Sequence, residues 1–472
     1  MNNADRILVR EIRNAPEPHR IYEAFKQSPF SFFLDSGMDP GKLGRYSFIG
    51  GEPFLVMKSR GRDVTLRSAE GAEVISGSPF DVLCGILERY RLENPTGLPF
   101  MGGAVGYLSY DLGHFVERLP SNAVDDLQLP ECCFGFYDSV VIFDHLEAKT
   151  FAVAVDLPGL SPTAGDRLRR VCELVEGAGY RQEDAMSPLS DAPVGLRSNF
   201  THDEYLSAVE AAREYIKAGD IFQVNISQRF EAEMPLPPYD LYKRLRRINP
   251  APFAGFLNFD DVVVVCASPE RFLRLKGSRV ETRPIKGTRP RGKDAASDVA
   301  LARELTRSVK DRAEHMMIVD LERNDLGRVC EYGTVKVSEL TALEQYATVF
   351  HLTSTVEGRL RPEKSVLDLL KATFPGGSIT GAPKVRAMEI IDTLEPTRRS
   401  VYTGSIGYIG FDGDLDLNIV IRTILVKGGK AYFQVGGAVV YDSDPEGEYQ
   451  ETLDKARALI NALNLVAQVV SR

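Results

Sequence analysis

The sequence predicts an α+β fold arranged as a sheet sandwich, and two observations carry that prediction. Short β-rich runs bounded by turn residues recur along the chain, and the helical stretches between them do not alternate regularly enough for a doubly wound parallel sheet. At 472 residues and 43% hydrophobic composition the chain is also long enough to bury more than one core.

The elements follow in order. SFFLDSG, GRYSFIGG, PFLVMKS and DVTLRS read as strands, FDVLCGILERYRL as a helix, and SVVIFDH and TFAVAVD as strands, giving a mixed, largely antiparallel lobe. Gly102-Gly103-Ala104-Val105-Gly106 lacks the spacing of a dinucleotide turn and predicts close strand packing. Arg181 to Ser198, with two prolines and few large apolar side chains, predicts a linker between regions 1–185 and 198–472. Thr201 and Glu204 form a capping box ahead of Tyr205, Leu206, Val209, Ala212 and Ile216 on one helical face, with Gly219 ending the run. Strands are expected at IFQVNISQRF, VVVVCAS, SIGYIGF, LDLNIVIRTILV and AYFQVGG, a long helix from Ala296 to Leu321, and a last helix from Gly447 to Leu463.

Composition narrows the function classes. A net charge of −9 without long charged runs argues against a nucleic-acid surface, while leaving room for a local basic pocket. No run approaches the roughly eighteen apolar residues of a membrane span, and MNNADRILVREIRNAPEP is too charged for a signal peptide, so a cytoplasmic protein is expected. The six cysteines form no CxxC pair and have no histidine at zinc-ligand spacing, which predicts core thiols and not a disulfide framework.

The stretch TRPIKGTRPRG sets Lys286 between Pro284-Ile285 and Gly287-Thr288, amid three arginines. Pro284 stiffens the approach and Gly287 lets a ligand come close, so the lysine is expected on a short structured turn, beside a pocket for an anion. As a nucleophile it would need a pKa lowered by burial or by Arg283 and Arg289; otherwise it is a solvated lysine in a basic turn. Asp311 and Glu314, and Glu448 and Glu451, are i,i+3 pairs that each project from one helix face. Four such carboxylates suit Mg²⁺ if the helices meet, and a solvated stripe if they do not. GGSITGAPK resembles a phosphate loop, but Pro383 precedes Lys384 and no hydroxyl follows, so no nucleotide is expected. Its glycines can still offer N–H groups to a carboxylate at the start of KVRAMEIIDTL.

Taken together, SPERF, RPIKGTRPRG, AEHMMIVDLERNDLGRV, VFHLTSTVEG, FPGGSITGAPK, GSIGYIGFDGDLDLNIVIRT and EYQETLDKA resemble the chorismate-utilising enzymes over essentially all of residues 200–465. The resemblance implies two large, mostly antiparallel sheets packed as a sandwich with helices outside. GRYSFIG and GGAVGYLSYD narrow it to the component I chains of anthranilate synthase and aminodeoxychorismate synthase.

Position by position, the resemblance implies that Glu314 and Glu451 hold Mg²⁺, with Asp311 and Glu448 in its outer shell, and that the metal grips the ring carboxylate of chorismate. Tyr402, Arg422, Gly436, Gly437 and Lys455 match positions that hold the enolpyruvyl carboxylate, and His351 and Ser378 match ring-side contacts, with Gly287 and Thr288 beside Lys286. Glu270 in SPERF matches the acid that protonates the departing C4 hydroxyl. Gln223 stands where isochorismate and salicylate synthases carry a water-activating lysine, which argues for an amine nucleophile. Lys286 replaces the alanine of anthranilate synthases and Ser378 their threonine; both imply the aminodeoxychorismate branch, with a lysine adduct at C2 and 4-amino-4-deoxychorismate as product. The ammonia would come from a separate glutamine amidotransferase subunit, since this chain has no Gly-x-Cys-x-Gly turn. The alternatives are an anthranilate synthase component I and an inert tryptophan-sensing subunit. Asp35, Ser36, Arg45 and Tyr46 match the family's tryptophan pocket, where FLDS replaces the usual LLES, and weak or absent tryptophan binding is expected.

Overall fold

Side-chain alternation along the strands decides how the layers stack. The computed structural model describes residues 6–179, 195–346 and 349–463. Phe32, Phe48, Ile142 and Val264 point into one core while their neighbours Phe33, Ile49, Val141 and Val265 point into another. Period-two alternation with apolar residues on both faces means that both faces of this sheet are covered.

The covered sheet has twelve strands, as does a second one facing it. The first runs Ile7–Ile12, Lys149–Val155, Ser139–Asp144, Tyr46–Gly50, Ser31–Asp35, Phe253–Asn258, Val263–Ser268, Thr423–Lys427, Lys430–Val439, Gln223–Glu233 and Arg197–Ser198, with Gly381–Ala382 also on Gln223–Glu233. The second runs Ile285–Pro290, Val349–Arg359, Arg279–Arg283, Arg271–Lys276, Leu415–Asn418, Ser405–Gly410, Gly103–Leu108, Cys132–Tyr137, Leu55–Arg60, Asp63–Ser68 and Gly71–Ser76, with Lys336–Gln345 also on Val349–Arg359. All pairings within these sheets are antiparallel.

Tyr107, Phe134, Phe136 and Leu417 of the second sheet close the core between the sheets. Tyr22, Val175, Leu245 and Leu459, from helices Pro18–Phe25, Ala164–Ala178, Pro238–Ile248 and Pro445–Leu463, cover the outer face of the first. The expected sandwich of two large antiparallel sheets with helices outside is therefore the observed one. Both sheets take strands from before and after the 180–194 stretch, which holds most of the expected linker and lies outside the described residues.

Glycines fix the close approaches. A Cβ at Gly106 would lie 2.0 Å from the Cys133 carbonyl oxygen, and one at Gly103 lies 2.3 Å from that of Ile409, so the Gly-rich run packs strands as expected. The capping box at Thr201 and Glu204 is formed.

Three expectations need correction. The helix from Ala296 to Leu321 is two helices, Ala295–Arg307 and Val309–Gly327, because Ser308 turns extended and its hydroxyl accepts from the Asp311 amide at 3.2 Å. LDLNIVIRTILV is not one strand: Leu415–Asn418 lies in the second sheet and Thr423–Lys427 in the first. Asn418 satisfies both at the crossing, accepting from Ile406 N–H at 3.0 Å and donating to Phe253 O at 2.9 Å, and Arg422 adopts a left-handed φ of 53°. Lys286 lies on the strand Ile285–Pro290 and not on a turn. All six cysteines are free thiols, and five are buried. Among the described residues no helix is long and apolar enough to cross a membrane.

Candidate active site

The strand carrying Lys286 is irregular at one residue. Lys286 pairs with Leu352 and Thr288 with His351, so Gly287 is the extra residue of a bulge, with φ +75°. A bulge re-aims the side chain beside it. Lys286 Nζ lies 3.1 Å from Glu314 Oε1, and its side chain is only 10% exposed. The expected arginine pocket around it is not formed, because each guanidinium has a carboxylate of its own. Arg283 turns to Glu339 and Glu344 at 2.9 and 2.7 Å, Arg289 to Glu304 and Asp311 at 2.7 and 3.0 Å, and Arg291 to Asp298 at 2.7 Å.

Glu270 sits between the strands Val263–Ser268 and Arg271–Lys276 and is buried. Burial pushes its carboxyl up to about 7, although Ser378 Oγ donates to Glu270 Oε1 at 2.6 Å, Ile285 N–H donates at 3.4 Å and Lys286 is nearby. A carboxyl kept protonated near neutrality can deliver a proton.

Acids of the two helices lie within electrostatic reach of one another. Glu448, buried on Pro445–Leu463, is pushed up to about 7 first by burial and then by Glu451, with Glu314 of the other helix adding to the effect. Its Oε1 accepts from Ser443 Oγ at 2.6 Å, while buried Oε2 has no hydrogen-bond partner among the described residues. Glu451 is half exposed, lies 2.6 Å from Lys455 Nζ, and is held below its usual range mainly by that lysine. Among the described residues no three His, Cys, Asp or Glu side chains form a ready metal cluster, and Asp311 is engaged by Arg289. The donors are nonetheless hard oxygens crowded enough to repel one another, with one oxygen unpartnered, and that set suits Mg²⁺.

A second group borders these acids. Lys455 Nζ donates to Gly436 O at 2.7 Å, and Arg422 Nη1 donates to Lys455 O at 2.7 Å. Arg422 has no carboxylate partner among the described residues, and burial lowers its pKa. Tyr402 and Glu451 are its electrostatic neighbours. A half-buried guanidinium with no carboxylate bonded to it can receive one. A Cβ on Gly437 would lie 2.5 Å from Glu448 Oε2, so any side chain there would displace that carboxylate. His351 is buried, bonds Thr288 Oγ1 at 2.9 Å, and is held neutral, with a pKa down to about 3, by burial and then by Arg422 and Lys455. Gln223 is buried with Nε2 3.4 Å from Asn225 Oδ1, and its Oε1 has no partner among the described residues.

Sequence reasoning missed Glu322, Asp325 and Asn225. The Gly377 amide of the false phosphate loop does reach a carboxylate, but an internal one, Glu322 Oε1 at 3.1 Å. Lys384 pairs with Asp325. Asn225 Nδ2 holds Ser378 O at 2.8 Å. Glu322 and Asp325 lie within AEHMMIVDLERNDLGRV, but nothing in that stretch read alone assigns them a partner.

The residues matched to a tryptophan pocket are engaged by protein. Buried Asp35 accepts from Ser47 at 3.0 Å, Tyr242 at 2.8 Å and Arg246 at 2.5 Å. Ser36 Oγ donates to Tyr46 O at 2.8 Å, and Arg45 pairs with Asp144 at 2.8 Å and stacks over the Tyr46 ring. A cleft of about 320 Å³ lies elsewhere, between helices Pro79–Arg89 and Val366–Thr373, and none of the candidate residues line it.

Two facing antiparallel sheets of twelve strands, with helices outside, define an α+β sandwich. Residues 45–461 match the family described as chorismate binding enzyme, and the chain belongs to it. It is 40% identical over 463 residues to anthranilate synthase component 1 of Acetivibrio thermocellus, covering 96% of this chain and 94% of that one. It is 41% identical over 431 residues to aminodeoxychorismate synthase component 1 of Bacillus subtilis, covering 91% of each. The crystal structure of anthranilate synthase component I from Streptococcus pneumoniae superposes with a TM-score of 0.79 at 36% identity, covering 89% of this chain and 93% of that one.

Proposed function

We propose that the chain aminates chorismate at C4, giving 4-amino-4-deoxychorismate for 4-aminobenzoate and folate synthesis. The observation that carries this reading is Lys286, an amine nearly shielded from solvent and aimed by a bulge at these acids. The Lys286 ammonium first passes a proton to Glu314, 3.1 Å away; the free amine forms a bond to C2 of the ring, the double bonds shift, and the C4–O bond breaks. Glu270 gives its proton to the departing hydroxyl, which leaves as water. Ammonia then bonds to C4, the double bonds shift back, and the bond between Lys286 and C2 breaks; the new ammonium at C4 returns a proton to Glu270, and Lys286 regains its own from Glu314.

Ser378 aligns the acid through its 2.6 Å hydrogen bond. Arg422, Tyr402, Lys455 and the amides of Gly436 and Gly437 hold the enolpyruvyl carboxylate, and neutral His351, with Gln223, Gly287 and Thr288, borders the ring. Glu314 and Glu451 would hold Mg²⁺, with Asp311 and Glu448 behind them; the ion would offset the charge of the ring carboxylate. The relatives' designation as component 1 supports a second component, and we take it to be a glutamine amidotransferase that supplies the ammonia.

The similar identity to anthranilate synthase component 1 supports a second reading, with anthranilate and pyruvate as products. Incubating the pure chain with chorismate, Mg²⁺ and an ammonium salt at mildly alkaline pH, followed by chromatography and mass measurement, separates the two. A 4-amino product retaining the enolpyruvyl group is expected; anthranilate alone would overturn the first reading.

A further inference from the structure

Glu322 is a buried carboxyl that the reaction above does not use. It lies on the helix Val309–Gly327, on the far side of the Gly377-Ser378 turn from Glu270. Its Oε1 accepts from Gly377 N–H at 3.1 Å and its Oε2 from Thr282 Oγ1 at 3.3 Å. The next residue of that turn, Ser378, donates to Glu270 at 2.6 Å, so one dipeptide bridges the two carboxyls.

The charges around the bridge do not balance. Glu322 faces Asp325 on its own helix, Lys384 at the start of the next helix and Glu270 across the turn. Lys384 is taken by Asp325, which also has Arg328 nearby, and by the Thr373 carbonyl at 2.9 Å. Glu270 faces Ser378, the Ile285 amide and Lys286, whose ammonium is directed to Glu314. Among the described residues these three buried carboxyls thus share one lysine bonded to any of them, and Glu322 has only neutral donors. Burial pushes both Glu270 and Glu322 toward the protonated form, and on Glu322 the neighbouring Asp325 and then Glu270 add to it.

We propose that Glu322 is a positioning residue for the acid: it holds the Gly377-Ser378 turn against Glu270 and, as a second carboxyl behind that turn, helps Glu270 keep the proton that the reaction consumes. The inference rests on Glu270 being that acid. In Glu322→Gln the side-chain oxygen still accepts from Gly377 N–H but can no longer ionise, so over the pH range where both carboxyls titrate Glu270 meets one charge fewer and gives up its proton more readily.

The test is the pH dependence of kcat at saturating chorismate, Mg²⁺ and ammonium salt for wild type, Glu322→Gln, Glu322→Asp and Glu270→Gln. The alkaline limb should move to lower pH by about half a unit to one unit in Glu322→Gln. In Glu322→Asp, which keeps the charge on a shorter arm, the limb should stay while kcat falls several-fold. Glu270→Gln should remove the limb altogether. If Glu270→Gln removes it and the Glu322→Gln profile superposes on wild type, the acid stands and the role of Glu322 is overturned. If the limb persists in Glu270→Gln, the acid assignment fails and the inference falls with it. Infrared titration of the protonated carboxyl bands reads the same shift without turnover, should Glu322→Gln be too slow for a profile.

Discussion

Lys286 Nζ and Glu314 Oε1 lie 3.1 Å apart, tying the strand that carries the amine to the helix that carries the first acid pair. The proposed nucleophile and the proposed metal carboxylates are therefore one electrostatic unit, and changes on either side are expected to be felt on the other.

Lys286→Ala should abolish formation of the 4-amino product or redirect it. Without the internal amine, ammonia can add only directly, at C2, so the 2-amino isomer is the expected replacement, identified by mass and chromatography. A Lys286→Ala enzyme that makes the 4-amino product at the wild-type rate would rule out the adduct.

Glu314→Gln and Glu451→Gln each remove a hard oxygen charge, and the Mg²⁺ concentration needed for half-maximal rate should rise at least on the order of tenfold. Glu314→Gln also frees Lys286 from its partner. Titration curves unchanged in both variants would put the ion somewhere else.

Gly287→Ala forces a side chain into a left-handed backbone at φ +75° and within 3.0 Å of Leu305 Cδ1. The backbone strain alone should cost about 1–3 kcal/mol, lowering Tm in a thermal melt, and turnover should fall further because the bulge no longer aims Lys286. Equal Tm and equal turnover would show that the bulge tolerates a Cβ and does not set the lysine.

L-Tryptophan is expected to bind weakly or not at all. Asp35, shorter by one methylene than the glutamate of LLES, already accepts from Ser47, Tyr242 and Arg246, and a ligand ammonium would have to displace Arg246. The chain contains no tryptophan, so emission anisotropy of added L-tryptophan reports binding directly. A saturable rise at micromolar protein, with inhibition of chorismate turnover, would refute this and favour the anthranilate reading.

What could be read from the sequence was what is local. The capping box at Thr201, the alternation of SFFLD and SVVIFD, and the glycine packing at Gly103 and Gly106 rest on neighbours a few residues apart. LDLNIVIRTILV misled because a continuous apolar run looks the same whether it stays in one buried sheet or crosses to another; the device that permits the crossing is Asn418 bonding two strands more than a hundred residues apart. Arg283 and Arg289 looked like an anion pocket because their partners, Glu339, Glu344, Glu304 and Asp311, are distant in sequence. Glu322 was invisible for the same reason: only the fold brings Gly377 and Thr282 to it.

Each sheet is joined between the two sequence regions at a single seam, Ser31–Asp35 on Phe253–Asn258 in one and Gly103–Leu108 on Ser405–Gly410 in the other. Expressing one region without the other would leave both seams open at once, baring two rows of unpaired N–H and C=O groups together with Phe33 or Phe256. Residues 198–472 expressed alone should aggregate despite carrying every proposed reacting residue, whereas co-expression with the first region should restore a soluble pair. The first region is then an obligate half of the scaffold, a role it keeps whether or not any small molecule ever regulates through it.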